Sequence, residues 1–369
     1  MESLEKALQE RFASKKADVV QANVEAARAG YEFARQNWKQ FGLGLELSNK
    51  QRLVMTGNQG IALGALAANC KFYSAYPMTP ASSILHFLAP NGPRNGMLVK
   101  QCEDEIAAMN MAVGAGQTGA RAMTGTSGGG FSLMTEAVGL AGMLETPVVV
   151  VNVQRGGPST GLPTKTEQGD LNQVFGASQG DFPRIIIAPT NLVDCYNSVI
   201  EAHNLAEIYQ CPVLIISDLL LSESHESAYL DEFVHNPVID RGQLLSEWKG
   251  PGRYKRFMFT ESGISPRALP GTEGAVYVAG TDEHDEDGVL ISDVFTNPVI
   301  RKKMMEKRMR KIQDLAKTFP LPKLVGPEDA EITLIGWGSS EGVIHEAVNL
   351  LNKEGVRVNS LIFKYLDLI

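Results

Sequence analysis

The chain has 369 residues, 44% hydrophobic and 21% charged, which is typical of packed globular proteins and long enough for two or three domains. A net charge of −8 argues against a nucleic-acid-binding surface, and no apolar run reaches the length of a membrane span. The four scattered cysteines and six histidines show no metal-ligand spacing. We therefore expect a cytoplasmic protein with no metal site built from this chain alone.

The N-terminal residues 1–52 predict a helical tail rather than a domain. Apolar residues from Val20 to Trp38 recur at spacings of three and four, the pattern of one helix face. The segment GLGLELSNK then breaks this pattern. So short a region cannot bury a core of its own, so we expect it to pack against another part of the protein.

Residues 53–220 alternate short apolar runs with helical stretches. Nearly unbroken Val/Ile runs such as VVVVNV are typical of a mostly parallel sheet covered by helices on both faces, a doubly wound α/β fold. The predicted strands are 71–76, 97–101, 120–124, 147–153, 184–188 and 212–217. The predicted helices are 80–88, 104–118, 130–143 and 191–209. Ligands of such sheets bind at the carboxyl ends of the strands.

The remaining sequence predicts a connection followed by a short α/β unit. Residues 221–330 are richer in Pro, Gly and His, and we interpret their basic helix at 298–318 as a solvated surface element. From 331 to 369 a strand–helix–strand pattern resumes. It is too small to bury a core, so either it packs on the main domain or the chain is truncated.

Two patterns invite a ligand assignment that their context opposes. GAGQTG at 114–119 matches the dinucleotide fingerprint, but it follows a predicted helix and precedes a strand, the reverse of the required order. EHDEDG at 283–288 resembles half of a calcium loop, but the position of the bidentate glutamate is Val294, so we interpret it as a solvated acidic turn. Gly128-Gly129-Gly130 opens a helix and fits either an anion cradle or the close approach of a neighbour.

Three side chains at the predicted strand ends could carry chemistry. Thr79 lies between two prolines in AYPMTPASS, which restrict the backbone on both sides of it. Glu105 opens an apolar helix, either as an ordinary first-turn acid or as a buried carboxyl that shares a proton with a ligand nitrogen. Arg155 ends a buried strand, where its planar fork suits a ligand carboxylate or a nearby acid, and the polar loop after it is a candidate binding loop.

Five blocks stand in series along the chain: AYPMTPASS, KQCEDEIAAMNMAVGAG, RAMTGTSGGGFSLMTEAVGLAG, ETPVVVVNVQRGGPSTGLPTKTEQGDL and TDEHDEDG. Together they resemble the alpha subunit of 2-oxoacid:ferredoxin oxidoreductases, in particular the 2-oxoglutarate or general 2-oxoacid branch. The resemblance covers about 53–369, and residues 10–47 resemble the end of a gamma domain that some members fuse ahead of alpha. It implies a thiamine diphosphate pyrimidine-binding domain at 53–220, a connecting region at 221–330, and at 331–369 the start of a transketolase C-terminal-like α/β domain.

The resemblance also implies roles for the candidate residues. Glu105 falls at the position of the glutamate that hydrogen-bonds the aminopyrimidine ring nitrogen of thiamine diphosphate. Thr79 would bind substrate near the reacting carbon, and Arg155 would hold the 2-oxoacid carboxylate, with Thr160 on the same loop. Lys165 is a candidate partner for a second substrate carboxylate. The remaining candidate cofactor contacts are Tyr76, Pro77 and Ser127.

Partners follow from the same resemblance. A beta subunit would hold the diphosphate with Mg²⁺ and carry an iron–sulfur cluster, since this sequence has no G-D-G…N pattern and no cysteine cluster. Coenzyme A would accept the acyl group and ferredoxin the electrons, in a heterodimer of dimers. The alternative is a non-catalytic or truncated assembly subunit of the same complex.

Overall fold

The computed structural model describes residues 1–39, 42, 50–291 and 297–366, and the chain divides into two compact units, Met1–Lys50 and Gln51–Ile369. In the first unit, helix α1 (Glu2–Arg11) contacts helix α2 (Ala17–Asn37). Helix α2 confirms the predicted helix but ends at Asn37, before Trp38 of the predicted face, whereas α1 is an addition to the prediction. Residues 43–49 of the predicted helix breaker, and Val294 of the acidic pattern, lie outside the described residues.

The second unit contains the α/β fold. Its strands are β1 (Arg52–Thr56), β2 (Phe72–Ala75), β3 (Leu98–Gln101), β4 (Ala122–Thr126), β5 (Val148–Gln154), β6 (Ile185–Ile187), β7 (Pro212–Asp218), β8 (His225–Tyr229), β9 (Leu324–Val325), β10 (Ile332–Trp337) and β11 (Val358–Phe363). Its helices are α3 (Gly57–Ala67), α4 (Ser82–Asn91), α5 (Glu105–Gln117), α6 (Gly128–Met143), α7 (Leu171–Phe175), α8 (Leu192–Tyr209), α9 (Leu219–Glu223), α10 (Pro298–Arg310) and α11 (Ser340–Lys353).

Six parallel strands form the central sheet in the order β3-β2-β4-β5-β7-β6. Strands β5 and β7 are buried along their whole length, as their apolar sequences predict. One apolar layer packs residues of α3, α4 and α8 against the sheet, and a second layer packs residues of α5 and α6 against its other face. The doubly wound α/β fold is confirmed, and all six predicted strands are present.

Helix α3 is absent from the sequence prediction although its start carries a recognisable signal. Thr56 and Gln59 form a capping box, in which the Thr56 Oγ1 accepts from the Gln59 N–H at 3.3 Å and the Gln59 Oε1 accepts from the Thr56 N–H at 2.9 Å. The helix is small-residue-rich and buried on most of its surface, so it shows no apolar stripe with a period of 3.6 residues. Periodicity therefore could not reveal it.

The basic helix α10 is not a solvated element, and that interpretation is wrong. Lys307, Arg308 and Lys311 are all buried, with exposed fractions of 1%, 1% and 3%. The Lys307 Nζ lies 2.6 Å from the Glu145 Oε1, Lys311 also pairs with Glu145, and the Arg308 Nη2 lies 2.6 Å from the Glu283 Oε1. Because each buried cation meets a carboxylate, the charges can leave water.

The same contacts correct the interpretation of the acidic pattern at 283–288 as a solvated turn. Glu283 is 9% exposed and its neighbour His284 is fully buried, so this part of the pattern is not a solvated turn. Burial acts to raise the pKa of the Glu145 carboxyl, but Lys307 and Lys311 together hold it well below its usual range. Ionised Glu145 thus binds the connecting region to the end of α6.

The short C-terminal α/β unit packs on the main domain, one of the two alternatives that its sequence left open. Strands β10, β11 and β9 form a small sheet in the order β10-β11-β9. Beyond β11 the chain reaches the edge strand β6, where the Ala188 N–H donates to the Lys364 carbonyl at 2.8 Å and the Leu366 N–H to the Ile186 carbonyl at 3.0 Å. In the described part of the chain no helix is long and apolar enough to cross a membrane.

Replacing Glu145 by glutamine should lower the free energy of unfolding by about 3–5 kcal/mol, because two buried lysines would lose their counter-charge. Urea denaturation followed by circular dichroism measures the difference. Glu136→Gln, which changes an exposed acid of α6, is the matched control and should stay within about 0.5 kcal/mol of the wild type. Equal stability of the two variants would contradict the importance of the buried ion pairs.

Candidate functional site

The loops after strands β2, β4 and β5 meet at the carboxyl edge of the central sheet. They enclose an open cavity of about 680 Å³, lined among others by Met78, Gly128, Arg155, Thr160 and Asp170. This edge is where parallel α/β sheets bind ligands, because the loops that follow neighbouring strands converge there. The sequence prediction of the site's place in the fold agrees with the cavity.

Glu105 is a buried carboxyl, and the structure distinguishes it from an ordinary first-turn acid. The capping role belongs to Asp104, whose Oδ1 accepts from the Ala107 N–H at 2.7 Å. Glu105 is 3% exposed, and its Oε1 has no hydrogen-bond partner among the described residues. Burial raises the pKa of this carboxyl. Such a group favours its protonated form and has an oxygen free for a ligand.

Gly130 allows α6 to approach Glu105. A Cβ at Gly130 would lie 2.5 Å from the Glu105 Oε1 and 2.1 Å from the Thr126 Oγ1, distances that no side chain could occupy. A Cβ at Gly128 would likewise lie 2.4 Å from the Asp170 Oδ2. The glycine run therefore serves close approach. Gly128 and Gly129 also line the cavity at the start of α6, so the anion-cradle alternative stays open.

Arg155 and Thr79 come together as neighbours. Arg155 is 8% exposed, and its Nη1 donates to the Thr79 carbonyl oxygen at 2.5 Å. The contact uses the Thr79 backbone, while the Thr79 side chain is on an exposed residue. The bond orients a guanidinium that also lines the cavity, where its remaining N–H groups can reach a ligand carboxylate.

The other predicted site residues divide between the cavity wall and its surroundings. Thr160 lines the cavity, whereas Lys165 is exposed and does not line it. The Lys165 carbonyl accepts a hydrogen bond from the Gly156 N–H at 3.1 Å. Tyr76 is exposed and Pro77 half-buried in the loop after β2. Ser127 is fully buried directly before α6, and its Oγ has no partner among the described residues.

Asp170 is a cavity residue that the sequence prediction omits. Its Oδ2 accepts from the Asn152 Nδ2 at 3.1 Å, and its backbone N–H donates to the Gln154 Oε1 at 3.0 Å. Burial raises the pKa of the Asp170 carboxyl, and nearby Glu167 acts in the same direction. A sequence signal existed: Asn152 and Gln154 interrupt the apolar strand β5 and, being buried, require polar partners.

Comparison with known proteins agrees with this α/β fold. Residues 63–305 match the family described as pyruvate flavodoxin/ferredoxin oxidoreductase, thiamine diphosphate-binding. The α/β fold and this match define a thiamine diphosphate-binding domain. The chain belongs to this pyruvate flavodoxin/ferredoxin oxidoreductase family.

Two named relatives and one solved structure illustrate the similarity. The chain is 40% identical over 326 residues to the 2-oxoacid:ferredoxin oxidoreductase subunit alpha of Saccharolobus solfataricus, covering 84% of this chain and 50% of that one. It is 35% identical over 316 residues to the 2-oxoglutarate synthase subunit KorA of Methanothermobacter thermautotrophicus, covering 83% and 79%. The chain spans about half the length of the first curated relatives.

The solved structure is 2-oxoglutarate:ferredoxin oxidoreductase from Magnetococcus marinus, with 2-oxoglutarate, coenzyme A and succinyl-CoA bound. It matches with a TM-score of 0.88 at 36% identity, over 99% of this chain and 63% of that one.

The residues present fit the polar ring of thiamine diphosphate. Glu105 and Ser127 are buried and each has a side-chain oxygen without a partner among the described residues. Buried polar atoms of this kind are rare unless a ligand or water satisfies them. Both lie next to the start of α6, where Gly130 lets the helix approach Glu105 closely.

Gly130→Ala should destabilise the fold by about 1–3 kcal/mol, because its Cβ would overlap Thr126 and Glu105. The matched control is Gly129→Ala, whose Cβ would lie in ordinary contact, 3.4 Å from the Ser159 carbonyl oxygen. The control should be neutral or slightly stabilising, since alanine favours a helix over glycine. Urea unfolding of both variants tests this, and equal effects at the two positions would refute the close-approach interpretation.

Proposed function

We propose that the chain is the thiamine diphosphate pyrimidine-binding half of an enzyme that oxidatively decarboxylates a 2-oxoacid, foremost 2-oxoglutarate, to an acyl-CoA. The observation that carries the proposal is Glu105, a buried carboxyl with an unsatisfied oxygen at the sheet edge that also holds Arg155. Family membership and the names of the relatives support the reaction class. The Magnetococcus enzyme, with 2-oxoglutarate and coenzyme A bound, supports the choice of substrates.

Glu105 is the proposed proton-sharing residue. When bound, thiamine diphosphate supplies the nucleophilic carbon and the electron sink for decarboxylation. The raised pKa of Glu105 lets its carboxyl hold a proton and share it with a nitrogen of the aminopyrimidine ring. The closely packed start of α6 excludes water from this carboxyl, which keeps the hydrogen bond strong. Tyr76, Pro77 and Ser127 are proposed as further cofactor contacts.

Arg155 is the proposed anchor of the substrate's 1-carboxylate. Its charge-assisted, forked hydrogen bonds suit a planar carboxylate, and its bond to the Thr79 carbonyl holds it in place. Thr79 and Thr160 would supply hydroxyl groups to the same substrate. The cavity wall already contains the acids Glu167 and Asp170, so a second substrate carboxylate needs another cation, for which we propose Lys165.

The rest of the reaction is assigned to partners. All four cysteines of this chain are buried and free, and burial raises the pKa of their thiols, which disfavours the thiolates that a cluster needs. We therefore assign the iron–sulfur cluster, Mg²⁺ and the diphosphate site to a beta subunit, within a cytoplasmic heterodimer of dimers that reduces ferredoxin.

The proposal also includes a division of the chain into segments. Residues 1–52 are the tail of a gamma-like domain, 53–220 the pyrimidine-binding domain, 221–330 the connecting region and 331–369 the start of a C-terminal α/β domain.

Co-expression with a beta subunit should give thiamine diphosphate-dependent reduction of a low-potential dye by 2-oxoglutarate, whereas the chain alone should give none. Half of the cofactor site would be missing without the partner.

In the assembled complex, Glu105→Gln should lower kcat by about 10²–10⁴-fold, because the amide cannot share a proton in the same way. Size-exclusion chromatography checks that assembly is intact. Activity of the chain alone, or near wild-type turnover of the variant, would refute the assignment.

Arg155→Ala should raise KM for the 2-oxoacid by about 10–100-fold, since a charge-assisted hydrogen bond contributes about 1.5–3 kcal/mol. Arg155→Lys should fall between alanine and wild type because it keeps the charge and loses the fork. Steady-state kinetics with varied 2-oxoacid measures both, with the exposed Arg94→Ala as a control. An unchanged KM in Arg155→Ala would place the carboxylate elsewhere.

A further inference from the structure

The loop at residues 156–170, hereafter the substrate loop, forms much of the cavity wall and requires support. Part of this support comes from within the loop, where the Leu162 N–H donates to the Gly156 carbonyl at 2.7 Å. Its end is tied to β5, where the Asp170 N–H donates to the Gln154 Oε1 at 3.0 Å. A further support comes from Gln168, which contacts parts of the chain that are remote in sequence.

Gln168 connects the substrate loop to a buried carboxylate at the end of β7. Its Nε2 donates to the Asp218 Oδ2 at 3.1 Å and to the Trp337 carbonyl oxygen at 3.3 Å. Asp218 is 1% exposed. Its Oδ1 accepts from the Leu221 N–H at 3.1 Å, at the start of α9. The Asp218 carboxylate therefore joins the loop to a strand end and a helix start.

The C-terminal unit supplies another donor to the same carboxylate. The Ser339 Oγ donates to the Asp218 Oδ2 at 2.5 Å. Ser339 follows β10 in the turn that leads into α11, and Gly338 in this turn has a φ of 61°, which favours glycine. A Cβ at Gly338 would lie 3.2 Å from the Gln168 Nε2, so the turn and the loop side chain pack closely.

We propose that Gln168 is a positioning residue through which the turn between β10 and α11 holds the substrate loop against the Asp218 carboxylate. A buried carboxylate that receives several donors fixes their relative positions, because each lost bond leaves a desolvated oxygen unsatisfied. Gln168 is not a catalytic residue, since it acts on the loop rather than on the substrate. The effect of Gln168 on substrate binding rests on the proposed function, whereas its effect on the position of the substrate loop does not.

Hydrogen exchange of peptides covering residues 156–170 tests the support without relying on activity. Gln168→Ala and Ser339→Ala should each accelerate exchange in the substrate loop, by about fivefold or more for Gln168→Ala. The double variant should exceed Gln168→Ala by little, because both changes disrupt one shared network. Gln313→Ala and Ser224→Ala, both at exposed positions, are the matched controls and should exchange as the wild type does.

Kinetics of the assembled complex then separates positioning from a general loss of structure. Gln168→Ala should raise KM for 2-oxoglutarate about 5–20-fold and change kcat by less than twofold, with an unchanged melting temperature of the complex. If Gln168→Ala does not fold, Gln168→Glu replaces it as the test variant. It places a like charge beside Asp218, so we expect the same faster loop exchange and the same increase in KM.

Wild-type loop exchange in Ser339→Ala overturns the role of the turn, and strictly additive effects overturn the shared network. A wild-type KM together with faster loop exchange overturns positioning for substrate. A wild-type complex that turns over no 2-oxoacid refutes the proposed function, and the exchange measurements then still decide whether Gln168 holds the loop.

Discussion

Keeping the carboxyl group of Glu105 out of water is the constraint on which the candidate site depends. A buried acid is costly when it is ionised, and among the described residues no cation acts on the Glu105 carboxyl to offset this cost. Asp104 takes over the capping of α5, which frees the adjacent side chain from that role. Gly130 has no side chain, which allows α6 to pack closely over the carboxyl. These local choices leave one oxygen available to a ligand.

The same constraint explains why the site lies at the sheet edge rather than within the apolar layers. The interior of the parallel sheet holds apolar side chains, whereas backbone N–H groups and polar side chains gather where the strands end. Arg155 leaves the buried strand β5 at this point and meets the backbone of the loop after β2. The Glu105 carboxyl and the Arg155 guanidinium are thus each held by different neighbours.

The sheet was largely predictable from the sequence because its signal is local. Short apolar runs identified the strands, most clearly the Val/Ile-rich β5, β6 and β7. The order of helix and strand correctly ruled against the dinucleotide fingerprint, since α5 extends through Gln117 before β4 begins. Helix α3 lacked an apolar stripe because most of its surface is buried. The buried charges of α10 could not be predicted either. Whether Lys307 faces water depends on Glu145, which is far away in sequence.

The site was predictable in part for the same reason. Arg155 and Thr160 follow a recognisable strand end, and the structure places both at the cavity. Lys165 shares their loop but is exposed, because the fold of a long loop decides which side chains turn inward. The support of that loop by Asp218 and Ser339 joins residues from distant parts of the chain. No spacing along the sequence could indicate such a contact.

Helix α6 links two environments that otherwise have nothing in common. Its first turn packs on Glu105. Glu145, two residues beyond the end of the helix, pairs with Lys307 of α10 and with Lys311, which directly follows α10. At 16 residues the helix is roughly 24 Å long. Because a helix is stiff along its axis, the ion pairs near one end also restrict the position of the other end, which packs on Glu105. Through these ion pairs the connecting region also helps to fix the position of α6.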